Sequence, residues 1–230
     1  ARRRRSTAFK IRRSGHVSRK TWPSTATIDG GNRSYTLNLS SRIPSARMKH
    51  EFPPLSYQER IHQELDKLGI SLELIAAKKL PFYAEAEELT IAEVDANGRE
   101  FQMTPATAKA WHAMKQAAAD DGVVLEVVSA FRSIERQIDI IRYKLDRYMP
   151  IEKILTLSAP PGYSEHHTGR AIDINTPGCM ATEEEFHDTA AYRWLCVHAA
   201  RFGFTLSYPR DNKLGFIYEP WHWCFQPNQA

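Results

Sequence analysis

The sequence has little that would suit a membrane-spanning or disulfide-framed protein. No uninterrupted apolar run in its 230 residues approaches the roughly 20 that a membrane-spanning helix needs, so a transmembrane segment has no support. Cysteine is scarce. Cys179, Cys196 and Cys224 are odd in number and lack C-x-x-C spacing, which argues against a disulfide framework or a cysteine zinc site and favours buried or free thiols. No repeat, heptad or low-complexity tract appears after the first stretch of chain, so neither a repeat array nor a coiled coil is indicated. Acidic residues are absent from "ARRRRSTAFKIRRSGHVSRK", residues 1–20, which concentrates there the net charge of +4. The rest is close to neutral or mildly acidic.

What is present fits a globular domain with a sizeable core: 42% hydrophobic and 25% charged residues. The basic start reads best as a solvated leader. An arm for nucleic acid or an anionic surface is a lesser alternative, as is a targeting or processing segment, although no apolar stretch follows the arginines as a secretory signal requires. No recognisable nucleic-acid-binding fold stands behind it, so nucleic acid is an unlikely partner. "TATIDGGNRSYTLNLS" alternates on both sides of Asp29-Gly30-Gly31, suggesting a small hairpin or extended arm, and Pro44, Pro53 and Pro54 mark a linker. Residues 1–54 therefore read as an extension and residues 55–230 as the compact domain.

Within 55–230 the patterns alternate between helix and strand. Ser56 with Glu59 forms a capping box before the apolar stripe Ile61, Leu65 and Leu68, and Gly69 closes the helix. "LTIAEVDANGREFQM" predicts two strands about Asn97-Gly98. Thr104 and Pro105 open a helix that stops at Gly122, and "VVLEVVSAFRS" predicts a buried strand. Ile134, Ile138, Ile141 and Leu145 give the next helix its apolar face. Thr182 with Glu185 predicts the cap of a last helix ending at Gly203, and "FTLSYP" and "LGFIYEPWHWCF" predict closing strands. The fold class is α+β: a small, mostly antiparallel sheet with flanking helices.

The chemistry gathers in two stretches. In "SEHHTGRAID", residues 164–173, His166 and Asp173 stand seven residues apart about Gly169, and a loop turning at the glycine into the strand "RAIDIN" returns the aspartate to face the histidine. Two ligands do not make a convincing zinc site. "EPWHWC" supplies His222 as a third, with Glu219 three residues before it. A catalytic zinc takes three protein ligands and leaves a fourth position for water, whose proton a nearby carboxylate receives; Glu219 suits that role better than a ligand's. Trp221 and Trp223 suit packing around His222. Cys224 alternates onto the face of His222, near a metal without binding it.

These stretches also carry a resemblance. "SEHHTGRAID" resembles the S-x-H-x-x-G-x-A-x-D signature of zinc D-alanyl-D-alanine carboxypeptidases of the VanY type, "EPWHW" resembles their E-x-W-H signature, and "SAFRS" their strand-end motif. The three occur in family order, and the similarity runs from about Leu55 to Phe225. The resemblance implies the fold shared by lysostaphin-type peptidases, D,D-peptidases and the hedgehog signalling domain. It implies one Zn2+ per chain held by His166, Asp173 and His222, with Glu219 as general base and Arg132 binding the carbonyl oxygen. Ser164 and Gln137 match positions lining the substrate cleft, and His167 falls on a variable position.

The implied substrate is the D-Ala-D-Ala end of a peptidoglycan stem peptide or its precursor. L,D-carboxypeptidase or endopeptidase activity is the nearest variant, and a zinc-stabilised binding domain without catalysis is the alternative from another class. The presence of both Glu219 and Arg132 favours catalysis. Such a substrate belongs to the bacterial cell envelope, whereas the sequence carries no clear export signal, so a cytoplasmic site of action stays open.

Overall fold

The computed structural model describes residues 25–30, 33–38 and 55–226. The chain divides into two compact units, Ala1–Phe52 and Pro53–Ala230. In the first, β1 (Thr25–Gly30) and β2 (Arg33–Asn38) pair antiparallel with Ile28 opposite Tyr35. The basic leader at 1–20 and the prolines of the expected linker lie outside the described residues.

The second unit is α+β. Its order is α1 (Tyr57–Lys67), α2 (Leu72–Lys78), β3 (Thr90–Val94), β4 (Glu100–Met103), α3 (Pro105–Asp120), β5 (Glu126–Ser129), α4 (Ile134–Leu145), α5 (Ile151–Leu157), β6 (Ala171–Asn175), α6 (Ala190–His198), β7 (Phe204–Leu206) and β8 (His222–Phe225). Strands β3 and β4 form a separate hairpin; the other four make an antiparallel sheet in the order β5-β6-β8-β7. All five residues of β6 are buried, as befits a central strand covered on both faces.

Local chemistry accounts for most boundaries. Both bonds of the capping box form at α1: Ser56 Oγ accepts from the Glu59 N–H at 3.2 Å, and the Glu59 carboxylate accepts from the Ser56 N–H at 2.8 Å. Thr104 caps α3 with Pro105 in the first turn, and Ser133 caps α4 by accepting from the Arg136 N–H. The Asn97-Gly98 turn is looser than the two-residue form. Asp95 accepts from the Asn97 and Arg99 N–H groups at 2.8 and 2.9 Å, so its carboxylate organises a longer connection.

Three expectations need correction. Thr182 and Glu185 do not cap the last helix. Glu185 instead accepts from the Met180 N–H at 2.7 Å, Thr189 caps α6, and Thr182 sits at φ +59°, a left-handed conformation that β-branched residues rarely take. The strand expected through "VVLEVVSAFRS" is confined to Glu126–Ser129, and that expected through "LGFIYEPWHWCF" to His222–Phe225. Helices α2 and α5, seven residues each, were too short to show a helical period.

Two apolar clusters hold the unit. One gathers Met103, Trp111, Met114, Ile172, Phe186 and Phe204 from the sheet and the helices beside it. The other gathers Leu65, Ile70, Ile138, Ile141, Ile154 and Leu155 from α1, the chain after it, α4 and α5. The turn between α5 and β6 is anchored at Gly169, at φ +63°. Its carbonyl accepts from the Thr104 N–H at 3.0 Å, and a Cβ there would meet Leu89 Cδ2 at 2.9 Å and the Thr104 nitrogen at 3.2 Å. Gly169→Ala is expected to destabilise the protein by about 1–3 kcal/mol, measured by chemical denaturation, because strain and close contact act together.

Candidate metal centre and cleft

The strands set the ligands by register. Asp173 on β6 stands opposite His222 at the start of β8 and opposite Ser129 at the end of β5. His166 lies in the short 3-10 turn Glu165–Thr168 that leads into β6. The ligand atoms of His166, Asp173 and His222 lie within 4.8 Å of one another, and all three residues are buried. With bonds of about 2.0–2.2 Å from nitrogen and oxygen to zinc, that spacing admits a single ion.

The second nitrogens of the two imidazoles support the same assignment. His166 Nδ1 lies 2.7 Å from the Ala130 carbonyl and so carries the proton, which leaves Nε2, 3.4 Å from Asp173 Oδ2, with its lone pair free. His222 uses the opposite pair of atoms. Its Nε2 lies 2.9 Å from Glu165 Oε2 and its Nδ1 3.1 Å from Asp173 Oδ1. A neutral ring that donates from Nε2 to Glu165 presents Nδ1 to the metal position. Ser207 Oγ donates to the same Glu165 oxygen at 2.6 Å.

The charges around the centre are strongly coupled. Burial acts to raise the Asp173 pKa, but the two histidines outweigh it and hold the carboxyl far below its usual range. Burial pulls His222 down, yet its hydrogen bonds to Asp173 and Glu165 raise it to about 10. His166 is lowered, first by burial and then by Arg132, which favours the neutral form a metal requires. Glu219 is raised to about 7, mainly by burial, with Asp173 adding repulsion. Its Oε2 lies 3.9 Å from His222 Nδ1.

Arg132 stands just past β5. Its guanidinium donates to Ser129 Oγ at 3.0 Å and to Gln137 Oε1 at 3.1 Å, and approaches Asp173 Oδ2 at 3.9 Å. Gln137 is fully buried, its Nε2 donating to the Ala159 carbonyl at 2.7 Å. It therefore holds Arg132 rather than lining the cleft. Ser164 does line it, with Arg132, Glu219 and the three ligands, around a cavity of about 310 Å3. Trp221 lines it too, whereas Trp223 packs in the core with its indole N–H on the Pro220 carbonyl. Cys224 is buried and outside the ligand set, and all three cysteines are free thiols.

His167 is fully buried but belongs to a different structure from its neighbour. Its Nε2 accepts from the Gly162 N–H at 3.2 Å, so its proton sits on Nδ1, which donates to the Arg132 carbonyl at 2.6 Å. Burial pushes its pKa down to about 4. Glu165, by contrast, was not legible as a functional residue in the sequence: it fills an open position of the signature, and its role depends on β8 crossing above it.

The VanY family model, described as D-alanyl-D-alanine carboxypeptidase, matches residues 100–228. A D-alanyl-D-alanine carboxypeptidase of Enterococcus faecalis (strain ATCC 700802 / V583) is 38% identical over 119 residues, covering 47% of this chain and 42% of the relative. The chain spans about half the length of the curated relatives it matches. Among solved structures, the LdcB LD-carboxypeptidase superposes with a TM-score of 0.57 at 31% identity, covering 63% of this chain and 71% of LdcB. VanYB in complex with D-alanine-D-alanine gives 0.50 at 32% identity, covering 63% and 80%.

Two outcomes follow from this geometry. His167→Ala is expected to leave metal content at one ion per chain, by elemental analysis, while lowering stability by about 2 kcal/mol through the buried backbone groups it leaves unpaired. Glu219 has a folded pKa above its unfolded value, so its contribution to stability is fully present below the ordinary carboxylate range and is lost as pH rises through about 7. In metal-free protein, Glu219→Gln should therefore stabilise more at pH 8 than at pH 5, by on the order of 2 kcal/mol in urea titrations.

Proposed function

The chain belongs to the VanY family, and from that premise we propose that it is a zinc D-alanyl-D-alanine carboxypeptidase acting on peptidoglycan stem peptides. One observation carries the reading beyond metal binding. A largely buried carboxylate, Glu219, lies beside the His-Asp-His set with a pKa raised to about 7, where it both accepts and returns a proton at neutral pH. A centre kept only for stability has no use for such a group.

His166, Asp173 and His222 would hold one Zn2+. Bound there, zinc would supply a Lewis acid at the scissile carbonyl and would lower the pKa of the attacking water toward about 7. The remaining steps belong to the chain's own residues. Glu219 takes the proton from the attacking water and passes it to the leaving amine. Arg132 uses two of its five N–H donors on Ser129 and Gln137, which fixes the plane of the guanidinium and leaves others for the carbonyl oxygen as negative charge builds on it. Ser164 lines the same cleft and is placed to meet the substrate backbone.

An L,D-carboxypeptidase is the second reading, favoured over an endopeptidase by the similarity to LdcB. Release of D-alanine should be compared between a pentapeptide stem ending in D-Ala-D-Ala and a tetrapeptide whose terminal D-Ala follows an L-configured centre. The zinc-loaded protein is expected to prefer the pentapeptide, and Glu219→Gln to keep its zinc while losing about 10²–10⁴-fold in turnover. Preference for the tetrapeptide would select the L,D reading. Full turnover by Glu219→Gln would refute the assignment of the base.

A further inference from the structure

The proposed reaction removes a residue from a chain terminus, so the cleft needs a group that recognises a free carboxylate. The ligands and Glu219 surround the scissile bond, and Arg132 is directed at its carbonyl oxygen. None of them distinguishes a terminal residue from an internal one. The wall formed by α4 offers another candidate. Gln137, Ile140 and Lys144 share one face of that helix, at spacings of three, four and seven residues. Gln137 holds Arg132 at one end, while Ile140 and Lys144 line the cavity that contains the three metal ligands and Glu219.

Lys144 is partly buried on this wall. Its ammonium donates one hydrogen bond, to Ser158 Oγ at 2.7 Å. An ammonium has three donors, so two remain. Among the described residues, Lys144 belongs to none of the ion pairs. Its neighbours around the cavity include Ile140, Leu157, Phe216 and Ile217, which suit a small apolar side chain; Glu219 on the same cavity acts on it across the space, beyond ion-pair distance. Burial there pushes the ammonium below the ordinary lysine range, so an anion entering the cleft would be attracted by a cation that has lost much of its water.

Arg132 and Lys144 line the one cavity, so a single terminal residue can face both. Seven residues of helix separate Gln137 from Lys144 by about 10 Å along the axis, and a helical lysine leans back toward the N-terminal end of its helix, here toward Arg132. A peptide whose scissile carbonyl faces Arg132 carries its free carboxylate one residue, about 3.8 Å of chain, further on. We propose that Lys144, steadied by Ser158, is the receptor for the substrate's terminal carboxylate and the residue that makes this site an exopeptidase. The inference rests on the carboxypeptidase reading and deepens it. It differs from a role in which Lys144 merely offsets the charge of Glu219 or fastens α4 to the end of α5.

The test uses zinc-loaded protein and two N-acetylated peptides ending in D-Ala-D-Ala, one with a free carboxylate and one with a terminal amide. Wild type should prefer the free acid through KM, by about tenfold or more. Lys144→Met should raise KM for the free acid by at least that factor, abolish the preference and leave zinc content and melting temperature near wild type, and Lys144→Arg should restore part of the preference. A Lys144→Met protein that keeps the preference overturns the inference while leaving the carboxypeptidase reading intact. So does a fall in kcat with a shifted pH profile and an unchanged acid-to-amide ratio, which would assign Lys144 to Glu219 instead. If wild type cleaves neither peptide, the carboxypeptidase reading fails, and calorimetry with Glu219→Gln decides the receptor separately. Binding of the acid but not the amide, lost when Lys144→Met is added, supports it; equal binding, or none, overturns it.

Discussion

Asp173 faces His222 across the β6–β8 pair, and the rest of the site depends on that register. Side chains on a strand alternate between faces, so a slip of one residue would turn the aspartate away from both imidazoles and replace it with Ile172 or Ile174. The full burial of β6 protects the register, because the same slip would move isoleucines from a packed core into a polar centre. On its other edge β6 pairs with β5, which brings Ser129 beside Asp173, and with it the hydroxyl that holds Arg132. Two pairings of one central strand thus fix a metal ligand, its neighbouring ligand and the hydroxyl that orients Arg132.

Around this pairing, each polar group is set by another. Ser207 orients Glu165, Glu165 sets the tautomer of His222, and the Ala130 carbonyl sets that of His166. Gln137 is held by the Ala159 carbonyl and in turn holds Arg132. Such outer partners matter because an imidazole with its proton on the wrong nitrogen cannot bind a metal in that position. The low dielectric that raises Glu219 toward neutrality also makes every unmatched group in the centre costly.

The sequence revealed the parts of this arrangement that are contiguous. His166, Asp173, His222 and Glu219 lie in two short stretches whose spacing carries their chemistry, and Ser56, Thr104 and Pro105 announce helix starts by local bonding alone. Residues whose role depends on tertiary contact were harder to read. Glu165 has meaning only beneath β8. Lys144 looks like any polar residue on an amphipathic helix until α5 and the cleft are placed beside it. Gln137 has a substrate-facing position in the motif, yet the packing of α4 against Ala159 turns its amide inward. Thr182 and Glu185 match a capping box in spacing, but Glu185 finds the Met180 N–H, and Thr189 closes α6 in their place. The motif already set His167 apart from His166, and the structure adds a physical reason, since both of its nitrogens have other partners.

The attachment of Arg132 carries a mechanical consequence. Its N–H donates to the His166 carbonyl at 3.2 Å, and its own carbonyl accepts from His167. The chain that carries the Arg132 guanidinium and the turn that carries the His166 imidazole are therefore tied to each other by two hydrogen bonds. The spacing between them is set by those two bonds together with the hold of Gln137 on the guanidinium. Substitutions in α1, which makes neither bond, can alter the packing of its cluster while leaving this tie in place, whereas a change at the end of α5 reaches Arg132 through Ala159 and Gln137.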